Sequence, residues 1–505
     1  MLKLRIDSRA LAGPWKWTGQ RWVNGESWLE PFAHPSLEQV AYADSSSSVF
    51  AVRERTTSSS VPGDFTTVTV DALRHRVQIS AGAYGTAPVF ARERDGVLHA
   101  SWDLADLPLD GTSLNEREVA RLLTMRFRYT AETVFSGVYR VTERATVQST
   151  FAGALQVRYP EPALHSSPRD LAAGADVIDA YERLLSTVIA EHVYAPDKTM
   201  VELSGGVDSA NVALSLAARP GGHLVRPGSV ILDGDRGRQQ IARRRELIRA
   251  CGFTTPDITV NGTDRPPLHP RGQRGGGARV SPYDEPYHEA MSELQRAIGH
   301  DVKHVFTGIG GDEMVSVNYD EMPAPPLGSG REFMPWITGR TRNAADAADE
   351  GIAPASRVNE MTLFAAGCAA PIILTSGSWP VHPFADPRMI TFGEWLPLEW
   401  RYGKRLHRER LLRRGLSPRI AHPPVPEVFT GIMHQGLRDH GARLGRQLAQ
   451  GGHLTGSGYV DGAKLAQACD RISEGTFAQR DLEVYDVLAL ELAIGTLTGD
   501  SFPVG

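Results

Sequence analysis

Residues Val201 to Ser209 read Val-Glu-Leu-Ser-Gly-Gly-Val-Asp-Ser, an apolar strand running into a Ser-Gly-Gly-x-Asp-Ser turn. Two adjacent glycines let the backbone turn sharply and bring its N–H groups close to an anion. Met200, Val201 and Leu203 supply a short buried strand before the turn, and Asn211 to Ala218 supply a helix after it. The N-terminus of that helix adds a positive partial charge. Ser204 and Ser209 offer hydroxyl donors, and Asp208 offers a carboxylate to a magnesium ion. This set of groups suits gripping the pyrophosphate of ATP while its α-phosphate is attacked. The competing reading, a Gly-rich turn with helix-capping Asp and Ser, accounts for a bare Gly-Gly better than for the whole string at a strand–helix junction.

A second Gly-rich turn follows later in the chain. His304-Val-Phe-Thr-Gly308 reads as a strand and runs into Ile309-Gly310-Gly311-Asp312-Glu313. At the carboxyl end of a parallel strand such a turn places acidic residues where open α/β sheets bind ligands. Asp312 can share a magnesium ion with Asp208, because Mg2+ favours carboxylate, phosphate and water oxygens. A solvated turn with Asp and Glu at a helix N-terminus is the alternative for this segment alone.

Positioning those turns requires a particular scaffold. From Ser166 onward, a helical stretch over 168–192 precedes strand Thr199–Leu203, the first turn and a helix. Strand Gly228–Asp233, a basic helix around Gln239–Cys251, strand Asp257–Val260 and strand His304–Gly308 then follow. Strands alternating with helices predict a parallel, doubly wound sheet. Residues 1 to about 160 instead carry alternating, β-branched runs at Phe65–Val70, Arg76–Ile79 and Pro88–Arg92, some helix near Asn115–Met125, and a hairpin signal at Asp95-Gly96. The expected fold is therefore α/β, with a β-sandwich domain over 1–165 and an α/β domain over 166–505. Ser45–Ser48 and Ser58–Ser60 read as loop tips, and 272–277 and 322–330 as Gly- or Pro-rich lids.

Bulk properties exclude other classes. A chain of 505 residues exceeds one hydrophobic core, and a net charge of −5 gives no support for a nucleic-acid or membrane-surface binder. No apolar run approaches the roughly 18–20 residues needed to span a bilayer, and the first residues lack the apolar core of a signal peptide. Cys251, Cys368 and Cys469 lie far apart, without metal-ligand or disulfide spacing, which fits a reducing cytoplasm.

The first turn resembles the pyrophosphate loop of the ATP pyrophosphatase superfamily. Together with Gly-Gly-Asp-Glu, Asp284-Glu285-Pro286, His382-Pro-Phe-Ala-Asp-Pro-Arg388 and Tyr402-Gly-Lys-Arg-Leu-His-Arg408, the chain resembles the asparagine synthetase family. GMP and NAD synthetases share the first loop but not these later segments. The resemblance covers residues 166–435 well and the N-terminal part weakly. It implies ATP and Mg2+ as the bound species, with Leu203, Ser204, Gly205, Gly206, Val207, Asp208, Ser209, Leu232, Gly308 and Gly310 around the nucleotide. Asp208 and Asp312 are the implied metal ligands, and Lys404, Asp312 and Glu313 the implied catalytic residues.

Departures from the family narrow the reading. Leu2 stands where the glutamine-dependent enzymes carry their nucleophilic cysteine, which implies a degenerate glutaminase-like front domain. Ile309 replaces the Glu of asparagine synthetases and the Tyr of β-lactam synthetases, and Gly367–Ala369 holds no carboxylate where the β-lactam enzymes place Glu. Val425 stands where the family carries its adenylate-binding Lys, leaving Lys404, Arg401, Arg405 or Arg419 as substitutes. The basic residues of the 401–419 run read by default as a solvated helix face, with adenylate or acidic-peptide binding by one or two of them as the alternative. Trp379, Trp395 and Trp400 read as core packing or as a peptide groove. Among family members without glutaminase chemistry, the pattern is most similar to lasso peptide cyclases, which join a peptide's N-terminal amine to an Asp or Glu side chain. That implies a precursor core peptide as substrate, with a leader peptidase and a leader-recognition protein as partners. A small-molecule amide ligase and a binding-only pseudoenzyme are the alternatives. Leu2 in place of cysteine predicts that purified protein releases no glutamate from glutamine, with or without ATP. Glutamate above a no-enzyme control contradicts it.

Overall fold

The computed structural model describes residues 1–11, 13–43, 47–57, 63–149, 154–270, 280–317, 321, 332–425 and 427–499. The segments read as lids, 272–277 and 322–330, and the serine run 58–60 lie outside these residues. The chain is mixed α/β, with two antiparallel sheets followed by one parallel sheet.

The first antiparallel sheet has seven strands and the second six. Their strands alternate buried and half-exposed residues, as in Leu2–Ile6 and Phe65–Asp71, because one face of each meets the core. Leu4 and Leu29 of one sheet share a cluster with Phe50, Val68 and Ile79 of the other, and Trp22 and Phe50 meet across them at 5.1 Å between ring centroids. Strands Phe90–Arg94 and Val97–Ser101 form the hairpin, whose turn residues Asp95 and Gly96 both take positive φ (55° and 80°). Two left-handed residues match the twist of the flanking strands. A helix spans Glu116–Leu123, capped by the Asn115 side chain. Two expectations change here. Ser47 and Ser48 open strand Ser47–Glu54 rather than a loop tip, and Pro88 and Val89 precede the strand that begins at Phe90.

The parallel sheet runs in spatial order Ile258–Asn261, Arg226–Ile231, Thr199–Glu202, His304–Phe306, Trp379–Val381. In chain order that is 3-2-1-4-5, so the order reverses between Thr199–Glu202 and His304–Phe306. Helices cover both faces. Helix His288–Ile298 contributes Ala290 and Leu294 to a cluster with Met200, Val230 and Val305. Helices Val177–Glu191, Val207–Ala217 and Arg405–Arg413 contribute Tyr181, Leu185, Ala210 and Leu411 to the cluster holding Val201, Leu203 and Phe306. The helix expected over 168–192 starts only at Val177, where the Asp176 side chain accepts from Asp179 N–H and caps it.

Trp379 lies in the fifth strand, buried, with its indole N–H donating to Glu54. It lines no groove. The basic run also departs from a solvated face. Arg401 is buried against Glu321 and the carbonyls of Leu396 and Ser316. Arg410 is buried with Glu182, Asn211 and Ser215, and ties three helices together. Arg413 and Arg414 are exposed and pair with Asp176 and Glu182. Among the described residues no helix is long and apolar enough to cross a membrane.

Arg410→Ala strips three helices of one shared donor and leaves Glu182 and Asn211 short of partners. Removing one side of such a buried pair costs about 3–5 kcal/mol. Urea unfolding of the variant should show a loss of that order, and a loss below about 1 kcal/mol contradicts the buried assignment.

Candidate active site

Both Gly-rich turns leave the carboxyl ends of the two strands that flank the order reversal, the position at which open α/β sheets accept ligands. Gly205 takes φ +97°, a region that side chains rarely tolerate. Ser204 Oγ lies 3.1 Å from Ser209 Oγ and accepts from Gly206 N–H at 3.1 Å. Leu203 N–H donates to Gly228 O at 2.8 Å and so fixes the root of the turn. Behind it, Gln240 donates to Ser204 O at 2.9 Å and Arg243 donates to Gly205 O at 3.2 Å. Both come from helix Gly234–Cys251, so the cradle is braced by the second βα unit.

The two turns touch. A Cβ on Gly311 would sit 2.7 Å from Asp208 Cγ, and one on Gly308 would sit 2.9 Å from Ser209 N. Only glycine permits this approach. Gly310 takes φ +91° as the chain enters Gly311–Met314. Asp208 and Asp312 are thereby brought to one cation: Lys404 Nζ lies 2.6 Å from Asp208 Oδ2 and 2.5 Å from Asp312 Oδ1. Burial alone lowers the affinity of Lys404 for its proton, but the two carboxylates outweigh it and raise the pKa.

Lys404 reaches this point through an uncommon backbone. Gly403 and Lys404 are both left-handed (φ 59° and 57°), and helix Arg405–Arg413 starts immediately after them. A non-glycine residue held there costs about 1–3 kcal/mol and marks an over-determined position. One turn on, fully buried His407 places Nε2 3.0 Å from Gly311 O, while Tyr181 Oη meets its Nδ1 at 2.7 Å. Burial lowers the His407 pKa, which keeps the ring neutral and fixes the acidic turn to the helix. Glu313 stands aside from the cation. Thr362 Oγ1 donates to it at 3.2 Å, and burial raises its pKa.

Of the residues expected at the nucleotide, Leu203 to Ser209, Gly308 and Gly310 lie on the two touching turns, with Leu203 itself fully buried. Leu232 follows the neighbouring strand Arg226–Ile231, buried, with its N–H donating to Gln240 Oε1 at 2.9 Å. Of the substitutes for the family's Lys, Arg401 is consumed by Glu321, Arg405 stacks over Trp400 at 4.8 Å, and Arg419 is exposed. Trp395 is partly exposed beneath Arg169 at 4.2 Å. Sequence reasoning missed Gln240, Arg243, His407 and Glu427. The last is a carboxylate from the 422–429 segment that pairs with Arg243 at 2.6 Å beside the cradle. Position i+3 from Lys404 was the one available signal, for His407.

Among the described residues no group of three or more His, Cys, Asp or Glu side chains forms a metal site. The two carboxylates nevertheless fit Mg2+, because Asp208 Oδ1 is buried without a hydrogen-bond partner among the described residues, and phosphate and water oxygens complete such sites. No protein-family model and no curated protein matches the chain.

Since the Lys404 ammonium lies where the carboxylates converge, Lys404→Met should expose a divalent-cation site. Nucleotide-free variant titrated with Mn2+ should bind at least about tenfold tighter than wild type, about 1.4 kcal/mol. Equal affinities remove Lys404 from the shared position.

Proposed function

We propose that the chain is an ATP-dependent, AMP-forming carbon–nitrogen ligase of asparagine synthetase type that closes a macrolactam in a ribosomal peptide, as lasso peptide cyclases do. One observation carries the reading: an anion cradle and a carboxylate pair with its own cation converge at the sheet's order reversal. In this reading 1–165 is a glutaminase-like domain without its chemistry and 166–505 is the amide-forming domain. The precursor core peptide is the substrate, with a leader peptidase and a leader-recognition protein as partners and no role for nucleic acid or membrane. The site of action is the cytoplasm.

Ser204, Ser209 and the backbone of Gly205 to Val207 hold the β- and γ-phosphates, aided by the N-terminus of helix Val207–Ala217. Asp208 and Asp312 would hold Mg2+, which supplies charge neutralisation at the phosphates. An Asp or Glu side-chain oxygen of the peptide attacks the α-phosphorus, and the bond to the β-phosphate oxygen breaks to release pyrophosphate. The peptide's α-amine then attacks the acyl carbon. AMP leaves and the amine's proton passes to solvent. Lys404, released from the two carboxylates when Mg2+ takes its place, offers its positive charge to the adenylate, the task that Val425 cannot perform. In a pre-folded peptide, amine and acyl carbon are held together, which contributes about 7–11 kcal/mol. An α-amine with a pKa near about 7.7–8.0 keeps a sizeable neutral fraction at cellular pH, so Ile309 in place of a base is tolerable.

Asp208→Ala should abolish pyrophosphate release while circular dichroism stays unchanged, and near-wild-type release removes Asp208 from the site. A peptide acetylated at its N-terminus should be adenylated but not closed, whereas conversion of its acceptor carboxylate to an amide should block both steps. Mass spectrometry reads closure as loss of one water. A chain that adenylates free amino acids and ignores peptides is a small-molecule ligase instead.

A further inference from the structure

The anion cradle already contains an anion. Oxygen Oε1 of Glu427 lies 2.9 Å from where a Cβ on Gly205 would stand, and Oε2 lies 3.3 Å from the same point on Gly206. The carboxylate therefore lies against both glycines of the turn and beside Ser204, one of the two hydroxyls that the nucleotide reading assigns to the phosphates. Its side chain is 16% exposed and takes one charge-assisted hydrogen bond from Arg243, itself 4% exposed. Ser204 adds a second hydrogen bond. Burial is the largest influence on this carboxyl and raises its pKa, so the position is held against a desolvation cost.

Arg244 stands alongside, 1% exposed, with its Cγ 3.5 Å from the Gly205 position. Its Nη2 donates to Asp257, while Nε and Nη1 have no hydrogen-bond partner among the described residues. Arg243 thus braces the turn through Gly205 O and pairs with Glu427, while the charge of Arg244 acts on the same carboxylate from its place beside Asp257. A single carboxylate carries one negative charge and two oxygens. A pyrophosphate group carries more of both, so it can satisfy Arg243 and Ser204 together.

We infer that Glu427 is a resident plug of the pyrophosphate site, and that a di- or triphosphate binds only as this carboxylate withdraws from Gly205, Gly206 and Arg243. The inference rests on the nucleotide reading above and adds its regulation. Apparent affinity for a ligand falls by the fraction of molecules whose site is open. A carboxylate that returns after the attack on the α-phosphorus would expel the pyrophosphate and oppose reversal. Its segment is anchored two residues on, where Phe429 meets Tyr287, just before helix His288–Ile298, at 4.6 Å between ring centroids.

The probe is inorganic pyrophosphate, titrated calorimetrically into the full chain as wild type, Glu427→Gln and Arg243→Met. Glu427→Gln keeps the side chain's shape and removes its charge, and Glu427→Ala serves as a second variant. Both should bind pyrophosphate at least about tenfold tighter than wild type, and pyrophosphate should become a stronger product inhibitor of both. Arg243→Met should bind it more weakly. Unchanged or weaker binding by the Glu427 variants overturns the plug, as does the absence of pyrophosphate binding in every form. Tighter binding without nucleotide turnover keeps the plug and discards the ligase reading. Turnover with an unchanged pyrophosphate affinity does the reverse.

Discussion

The site depends on one steric condition, the van der Waals contact between two Gly-rich turns at the reversal of strand order. Gly308 and Gly311 leave no room for a Cβ against Asp208 and Ser209. That contact draws two carboxylates toward one point, which like charges resist unless a cation stands between them. Lys404 supplies it at 2.6 and 2.5 Å. The surrounding architecture serves this arrangement. His407 holds the second turn through Gly311 O, buried Arg410 fixes the helix that carries Lys404, and Gln240 and Arg243 brace the first turn from behind.

Without a bound ligand the chain pairs its own charges. The ammonium of Lys404 lies between Asp208 and Asp312, and the carboxylate of Glu427 lies against Gly205 and Gly206; in the proposed reading they hold the places of a divalent cation and a phosphate. Each placeholder has the sign of the species it stands for. A ligand that brings both signs at once, such as magnesium with a polyphosphate, can replace both contacts without leaving a buried charge alone, whereas either ion singly cannot.

Much of the scaffold was legible in the sequence, since the parallel strands, the two turns and the Asp95-Gly96 hairpin carry local signals that tertiary structure did not overrule. Strand Trp379–Val381 was not, because three residues with a central proline look like no strand, and here that proline sits in the strand at the sheet's edge. Nor was the basic run: spacing alone gives no reason why Arg410 and Arg401 should turn inward while Arg413 and Arg414 face water. Lys404 was identifiable, but its direction comes from two successive left-handed residues. Arg243 and Glu427 reach the site from distant elements, so no local motif announces them, whereas His407 follows Lys404 by three positions. The degenerate cation position at Val425 was visible in sequence, yet the carboxylate two residues later was the more informative neighbour.

The central claim is that this paired-charge site cleaves ATP between its α- and β-phosphates. The direct measurement is the nucleotide product formed when the protein, Mg2+ and ATP are incubated with a peptide bearing a free N-terminal amine and an acidic side chain. AMP and pyrophosphate in equal amounts, formed only when the peptide is present, is the predicted result. ADP and phosphate, or no nucleotide consumption with any acidic peptide, contradicts it.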